Sequence, residues 1–239
     1  MKKQKPFLMC LFLLLAFTSS CQDTAKKKKS NEENEKQTMS VEKFNYNSTI
    51  SCPVGYPIDI YRGGFELTNG TFENLDLGTH YGPWGATGAS MSSGLKGVPV
   101  KLNLIWVSYV EDVFYRINTE IDSKLIIEKF KEGYPNSSLY FGRNKNETYN
   151  YIVAGFAPGG VVVVWLSGSG KQIEIGRYQA EKTIVSAEDI AKLDNHERLI
   201  FQEDYRRKIM LNEKIVPLDV QLANKNKPIP FGLWDTYRE

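Results

Sequence analysis

The sequence predicts an α+β domain in which an antiparallel, hairpin-rich sheet carries one inserted helix and a C-terminal helical segment. Three observations lead to this fold class. Apolar and polar residues alternate over 98–106 (VPVKLNLIW), a pattern typical of a half-buried strand. Residues 123–132 have helical spacing between an N-cap, Asp122, and a C-terminal stop, Gly133. The turn APGG at 157–160 separates two apolar runs, as in a hairpin.

The first half of the domain predicts strands around one long loop. Residues 55–67 mix aromatic and branched residues with Gly and Pro, as irregular strands and turns do. Residues 70–97 contain seven Gly and little periodicity, which predicts a long structured loop, a kind of segment that is often functional. Strands predicted at 98–106 and 113–121 form a hairpin, and the helix of 123–132 follows it.

The second half predicts a meander and then helices. Strands are expected at 149–156, 161–165 and 173–178, and the continuously apolar VVVVW of 161–165 is typical of a central strand covered on both faces. Ser186 with Asp189 resembles a capping box that opens a helical stretch from 187 to about 212. Its broken apolar face predicts two helices or one kinked helix. The tail after Pro217 is expected to pack back as extended chain.

Residues 1–20 predict a lipoprotein signal peptide. Three lysines precede an apolar run of 11 residues, which is shorter than the roughly 20 that span a bilayer but typical of a signal h-region. Small residues follow, then Cys21, which resembles the acylated cysteine of bacterial lipoproteins; an ordinary cleaved signal peptide is the alternative. By resemblance to the enterobacterial sorting rule, Gln22 in place of Asp indicates the outer membrane, with the periplasmic or surface leaflet left open.

Residues 21–43 are predicted to be the lipidated cysteine and a disordered, charged tether, and residues 44–239 a single domain. Positions 22–40 hold five Lys, four acidic residues and no aromatic or branched aliphatic side chain, too little apolar surface to offset ordering. Without the three signal lysines the formal charge falls from +2 to −1, so nucleic acid is not an expected partner. Cys52 is then the only other thiol after Cys21, and we expect it to be a small buried hydrophobe.

No residue set in the sequence predicts catalysis, a metal or a cofactor. The mature chain has two histidines, His80 and His196, with no metal-ligand spacing. The GSGK at 168–171 lacks the spacing of a phosphate-binding loop and falls in a predicted hairpin turn. Glu111 and Asp112 are adjacent on the chain, so on a strand they point to opposite faces and cannot flank one glycosidic bond. We therefore expect a protein that is not an enzyme.

The candidate binding residues are His80, Tyr81 and Trp84. They lie in the Gly-rich loop, where rings are harder to bury than on a strand. Exposed Tyr and Trp rings stack on sugars and anchor protein partners. Trp106 and Trp165, by contrast, fall on strand positions and are expected in the core.

Several motifs between residues 84 and 180 occur together and in order. They are PWG at 83–85, LIWVSYVED at 104–112 running into Phe114 and Tyr115, GFAPGGV at 155–161 continuing to Trp165, and EIGRYQA at 174–180. The set resembles an uncharacterised family of bacterial envelope lipoproteins from Bacteroidetes and Proteobacteria, a domain of unknown function in the 2931 series. The resemblance implies a lipoprotein with no established enzymatic activity. The position of some relatives beside secreted antibacterial toxins further implies an immunity role.

These features together predict a lipid-anchored, non-enzymatic binding protein of the bacterial outer membrane. Its membrane contact is the N-terminal lipid, and its partner is expected to be another protein, with immunity against a secreted antibacterial toxin as one such role. A glycan-binding lipoprotein that uses the loop from His80 to Trp84 is the alternative. A third hypothesis is a hydrolase whose active site is not visible in the sequence.

Overall fold

The computed structural model describes residues 41–76, 78–90, 92–136, 145–212, 219–220 and 223. From Glu42 onward these residues belong to one compact unit. The predicted signal peptide, Cys21 and the tether up to residue 40 lie outside the described residues, as does most of the tail after Pro217. The described tail residues Asp219, Val220 and Ala223 are helical, so the expected extended conformation is wrong for them. Within the described residues, no helix has the length and apolar character needed to cross a membrane.

The fold class is α+β, as predicted. The described strands are β1 (Phe44–Asn45), β2 (Asn47–Ser51), β3 (Ile58–Leu67), β4 (Phe72–Asn74), β5 (Leu95–Lys96), β6 (Pro99–Ser108), β7 (Val113–Glu120), β8 (Tyr134–Asn136), β9 (Lys145–Glu147), β10 (Tyr151–Ala157), β11 (Val161–Gly168), β12 (Lys171–Gln179) and β13 (Glu181–Thr183). The helices are α1 (Ser123–Glu132), α2 (Ala187–Ala191) and α3 (Glu203–Asn212), with 3₁₀ turns at Pro158–Gly160 and Glu197–Phe201.

Two main sheets share one apolar core. One sheet has the order β12-β11-β10-β2 and the other the order β13-β7-β6-β3-β4; two further pairs, β1-β5 and β8-β9, are short. Side chains from both main sheets meet in a single buried cluster, in which the ring of Trp106 (β6) lies 5.0 Å from that of Phe156 (β10). Most pairings are antiparallel, as predicted, but β2 runs parallel to β10.

The predicted hairpin and the helix after it are confirmed. Strand β6 pairs with β7 from Lys101 to Ser108, and helix α1 spans the predicted residues. Asp122 accepts a hydrogen bond from the Leu125 N–H (2.9 Å), which satisfies one of the free amides at the helix start. Gly133 ends the helix at φ 62°, where a residue with a Cβ is strained.

The C-terminal helical segment covers the outer face of the five-stranded sheet at one end. Of the two predicted arrangements, two helices are observed, α2 and α3, separated by a 3₁₀ turn. Ile200, Ile209 and Met210 of this segment pack against Val107 and its neighbours. Because this cover buries the outer face of β6 at Val107, the alternation seen up to residue 104 is lost and every β6 residue from Ile105 to Ser108 is buried.

Strand β11 is the covered central strand that the apolar run predicts. It pairs with β10 on one side and β12 on the other, and it is buried from Val162 to Leu166. The loop that contains Trp84 contributes to the cover on the outer face of this sheet.

Candidate functional site

The first predicted binding residue, His80, is held by the backbone of the five-stranded sheet. Its N–H and C=O both pair with Ile58 (2.8 and 3.1 Å), and its carbonyl also accepts from the Cys52 thiol at 3.3 Å. Partial burial lowers the pKa of the imidazole. Cys52 itself is buried, as predicted.

Trp84 packs on the outer face of the four-stranded sheet. Its ring meets that of Trp165 edge-on, with centroids 4.9 Å apart at 89°. Gly155 lies directly beneath, because a Cβ there would overlap the Trp165 ring and stand 2.8 Å from the Trp84 ring. The half-buried Trp84 therefore acts partly as a core residue and presents only part of its ring to solvent.

Two hydrogen bonds fix the backbone next to Trp84. The Gly85 N–H donates to the Ser51 hydroxyl (3.1 Å), and the Gln172 side-chain amide donates to the Gly85 carbonyl (2.6 Å). These contacts bring residues 85–87 beside the hairpin at 167–172, which includes the GSGK turn. The two segments line an open polar hollow of about 450 Å³. Tyr81, the remaining predicted residue, is 42% exposed and does not line this hollow.

A second surface lies on the open end of the outer face of the five-stranded sheet. A groove of about 430 Å³ crosses β3, β6 and β7 and is lined by Arg62, Arg116, Asn103, Asn118, Ile105 and the exposed Phe72. The register places Arg62 and Arg116 on either side of Ile105 in one cross-strand row. Arg62 contacts the ring of Tyr61, and among the described residues neither arginine forms an ion pair, although Glu181 lies opposite Arg116.

A third site, which the sequence did not reveal, surrounds Asp59. This β3 residue is only 7% exposed and lines a cavity of about 200 Å³ between its sheet and the C-terminal helical segment. Burial, as the largest cause, raises the pKa of its carboxyl group to about 6, opposed by a hydrogen bond from Thr79. One signal existed in the sequence, a charged residue between two isoleucines in GYPIDIY.

The part of the chain that the structure describes holds no group of three or more His, Cys, Asp or Glu side chains able to bind a metal ion. A family model described as Protein of unknown function (DUF2931) matches residues 25–232, most of the sequence. The chain belongs to this family. No curated protein and no solved structure is significantly similar to it. The domain-of-unknown-function family indicated by the motifs between 84 and 180 is thus confirmed; the lipoprotein nature of the chain stays a prediction.

Motifs that are far apart in the sequence of the DUF2931 domain meet in the fold. Glu111, from LIWVSYVED, accepts hydrogen bonds from the Tyr115 hydroxyl (2.8 Å) and from the N–H of Gly159 (3.0 Å) in GFAPGGV. Asp112 turns away and pairs with Arg206 of α3. The two carboxylates have separate partners, as expected of adjacent residues that cannot flank one bond.

Proposed function

We propose that the protein is a lipid-anchored, non-enzymatic binding protein of the bacterial envelope and that its partner is another protein. The observation that carries this proposal is the open face defined by Arg62, Arg116, Ile105 and Phe72. Arg and aromatic side chains around an apolar floor are the composition of protein interface hot spots. Two arginines without an ion pair to a described residue favour a partner that presents carboxylates there.

Charge reversal tests this surface. The double variant Arg62→Glu, Arg116→Glu should abolish capture of the partner from cross-linked envelopes, because an acidic patch would then face an acidic partner. Lys124→Glu is the matched control, since Lys124 is exposed on helix α1 and does not line the groove. Equal recovery of the same protein by the double variant, the control and the wild type would exclude this face as the interface.

The anchor rests on the sequence around Cys21. Each buried methylene of an acyl chain contributes about 0.8 kcal/mol to membrane binding. One chain binds a membrane only reversibly, whereas the two or three chains of a lipoprotein anchor it stably. Cys21→Ala should therefore release the protein from outer-membrane fractions, and labelling with a radioactive or clickable fatty acid should be lost with it. A variant that stays in the outer membrane would contradict the proposed localisation.

The finer form of the proposal is that the partner is a secreted antibacterial toxin that the anchored domain neutralises. The family resemblance supports it. A strain without this gene should be outcompeted by toxin-secreting sibling cells and rescued by the wild-type gene, but not by the Arg62→Glu, Arg116→Glu variant. Survival of the deletion strain at wild-type levels would reject the immunity role.

Glycan binding is the alternative, and the polar hollow beside Trp84 supports it. Ser167, Lys171, Gln172 and Thr87 offer donors and acceptors for sugar hydroxyls there. Because Trp84 packs on Trp165, its removal would also destabilise the fold. Lys171→Ala is the sharper test, since this exposed side chain can be removed without opening the core. Retention on envelope polysaccharide should fall in Lys171→Ala and persist in Lys124→Ala; unchanged retention would reject this hollow as the glycan site.

A further inference from the structure

The cavity around Asp59 has a buried acidic floor and an exposed acidic rim. Asp59 lies at the bottom, while Asp76 and Glu197 stand at the opening, where both are exposed. The Asp59 Oδ2 atom accepts hydrogen bonds from the hydroxyls of Thr79 (2.9 Å) and Tyr109 (3.2 Å). Its other carboxylate oxygen, Oδ1, accepts none from the described residues.

No positive side chain balances these carboxylates. The lining contains no Lys or Arg, and among the described residues none of the three acids forms an ion pair. His196, at the rim, is the one lining side chain that can become cationic. A buried carboxylate without a counter-charge is costly, so a cation that enters the cavity gains from pairing with it.

The rest of the wall is apolar and aromatic. Leu193, Leu199 and Ile200 of the helical segment line it, together with the half-buried side chains of Tyr61 and Tyr205. Such a wall suits a short hydrocarbon chain, and aromatic faces attract ammonium groups. It does not suit a hydrated metal ion, which needs several oxygen or nitrogen ligands that converge on one point.

We propose that this cavity binds a small organic amine, with one ammonium group on Asp59 and a short hydrocarbon chain against the leucines. A cavity of about 150 Å³ holds benzene. The 200 Å³ available here therefore accommodates a ligand of about eight non-hydrogen atoms, the size of a linear diamine. The second ammonium group of a diamine would reach the rim near Asp76 and Glu197. This site is independent of the proposed protein-binding face.

Binding should depend on pH through Asp59. The groups that face it are Asp76, Thr79, Tyr109 and, from the helical segment, His196; Tyr61, Glu197 and Tyr205 are the other titratable residues of the lining. With a carboxyl pKa near 6, Asp59 is almost fully ionised at pH 7.5 and about one-tenth ionised at pH 5. The dissociation constant of an amine that needs the carboxylate should therefore rise about tenfold between these pH values.

The test is calorimetric titration of the full lipoprotein in non-ionic detergent with 1,5-diaminopentane. We expect binding at pH 7.5, a dissociation constant about tenfold higher at pH 5, and at least a tenfold loss in Asp59→Asn. His196→Gln should keep the pH dependence, because that dependence comes from Asp59. Asp204→Asn removes an exposed carboxylate of α3 that does not line the cavity and should bind like the wild type.

Four results would overturn the proposal. The diamine could fail to bind, or bind Asp59→Asn as well as it binds the wild type. The neutral analogue 1,5-pentanediol could bind as tightly as the diamine, which would make the cavity a general apolar pocket. Calcium ions could displace the diamine at lower concentration, which would make the site a metal site instead.

Discussion

Replacing Asp59 with Asn should stabilise the domain at neutral pH and leave it almost unchanged in acid. The folded state holds the proton on Asp59 more tightly than the unfolded chain, since its pKa is raised from 3.8 to about 6. The contribution of this residue to folding is therefore greatest below pH 4 and is lost as the pH rises through 6. Asn, which is always neutral, removes that dependence.

The size of the effect follows from the shift. A difference of about two pKa units corresponds to roughly 3 kcal/mol of folding free energy, at 1.36 kcal/mol per unit. About 2 kcal/mol of this stabilisation is lost as the pH rises from 4.5 to 7.5. The amide oxygen of Asn can still accept the hydrogen bonds that Thr79 and Tyr109 donate to Asp59. The gain at neutral pH should therefore be about 1–3 kcal/mol, because neutralisation is offset only by the burial of the new amide group.

Urea unfolding of the wild type and Asp59→Asn across pH 4–8 measures this difference. The free energy of unfolding of the wild type should fall by about 2 kcal/mol relative to the variant between pH 4.5 and 7.5. Asp204→Asn, an exposed control, should follow the wild type. Parallel profiles for Asp59→Asn and the wild type would show that Asp59 titrates normally and would refute the argument from burial.

Two further substitutions test buried contacts of the two main sheets. Gly155→Ala should lower the free energy of unfolding measured in urea by about 1–3 kcal/mol, because the new methyl group overlaps the ring of Trp165. Gly88→Ala is the control and should leave the free energy of unfolding nearly unchanged, because a Cβ at position 88 would enter open space. Glu73→Gln should lower the free energy of unfolding by about 3 kcal/mol at pH 7. The substitution leaves the Lys96 ammonium, which is 2.6 Å from the carboxylate and 14% exposed, without its charge partner. A loss under 1 kcal/mol would show that this ion pair does not stabilise the fold.

Local signals predicted the elements whose causes lie within a few residues. Helix α1 is confirmed because its cap, Asp122, and its stop, Gly133, are part of the same short segment. Strand β11 is confirmed because four consecutive valines are β-branched and apolar, which favours a strand in the interior of a sheet. In both cases the side chains that fix the element are contiguous in the sequence.

Elements fixed by distant contacts could not be predicted in the same way. Strand β2 reads NSTIS, a polar sequence, yet Ser48, Thr49 and Ser51 are fully buried. The loop after Trp84 makes this possible, because Gly85 donates a hydrogen bond to the Ser51 hydroxyl. Trp84, a ring that the sequence suggested as a binding surface, is half-buried because it packs on Trp165 and its neighbours in the four-stranded sheet.

The Asp59 cavity and the arginine groove owe their places to one backbone irregularity. Strict alternation along β3 would put Asp59 and Arg62 on opposite faces of the sheet. A bulge at Tyr61 shifts the register, so that Asp59 lies opposite Val107 and Arg62 opposite Ile105, on the same face. Both charged residues thereby avoid the core between the sheets.

Tyr61 also separates the two charges on that face. Its ring meets Phe201 edge-on at 5.1 Å and lies 5.2 Å from the Arg62 guanidinium, so it closes the helical cover on one side and supports the arginine on the other. Asp59 is left beneath the cover, where it interacts electrostatically with His196 but forms no ion pair with a described residue. Arg62 is left outside it, where it interacts electrostatically with Asp189 but forms no ion pair with a described residue. A single extra residue in β3 therefore keeps Asp59 and Arg62 from pairing with each other, and leaves each available to a ligand of the opposite sign.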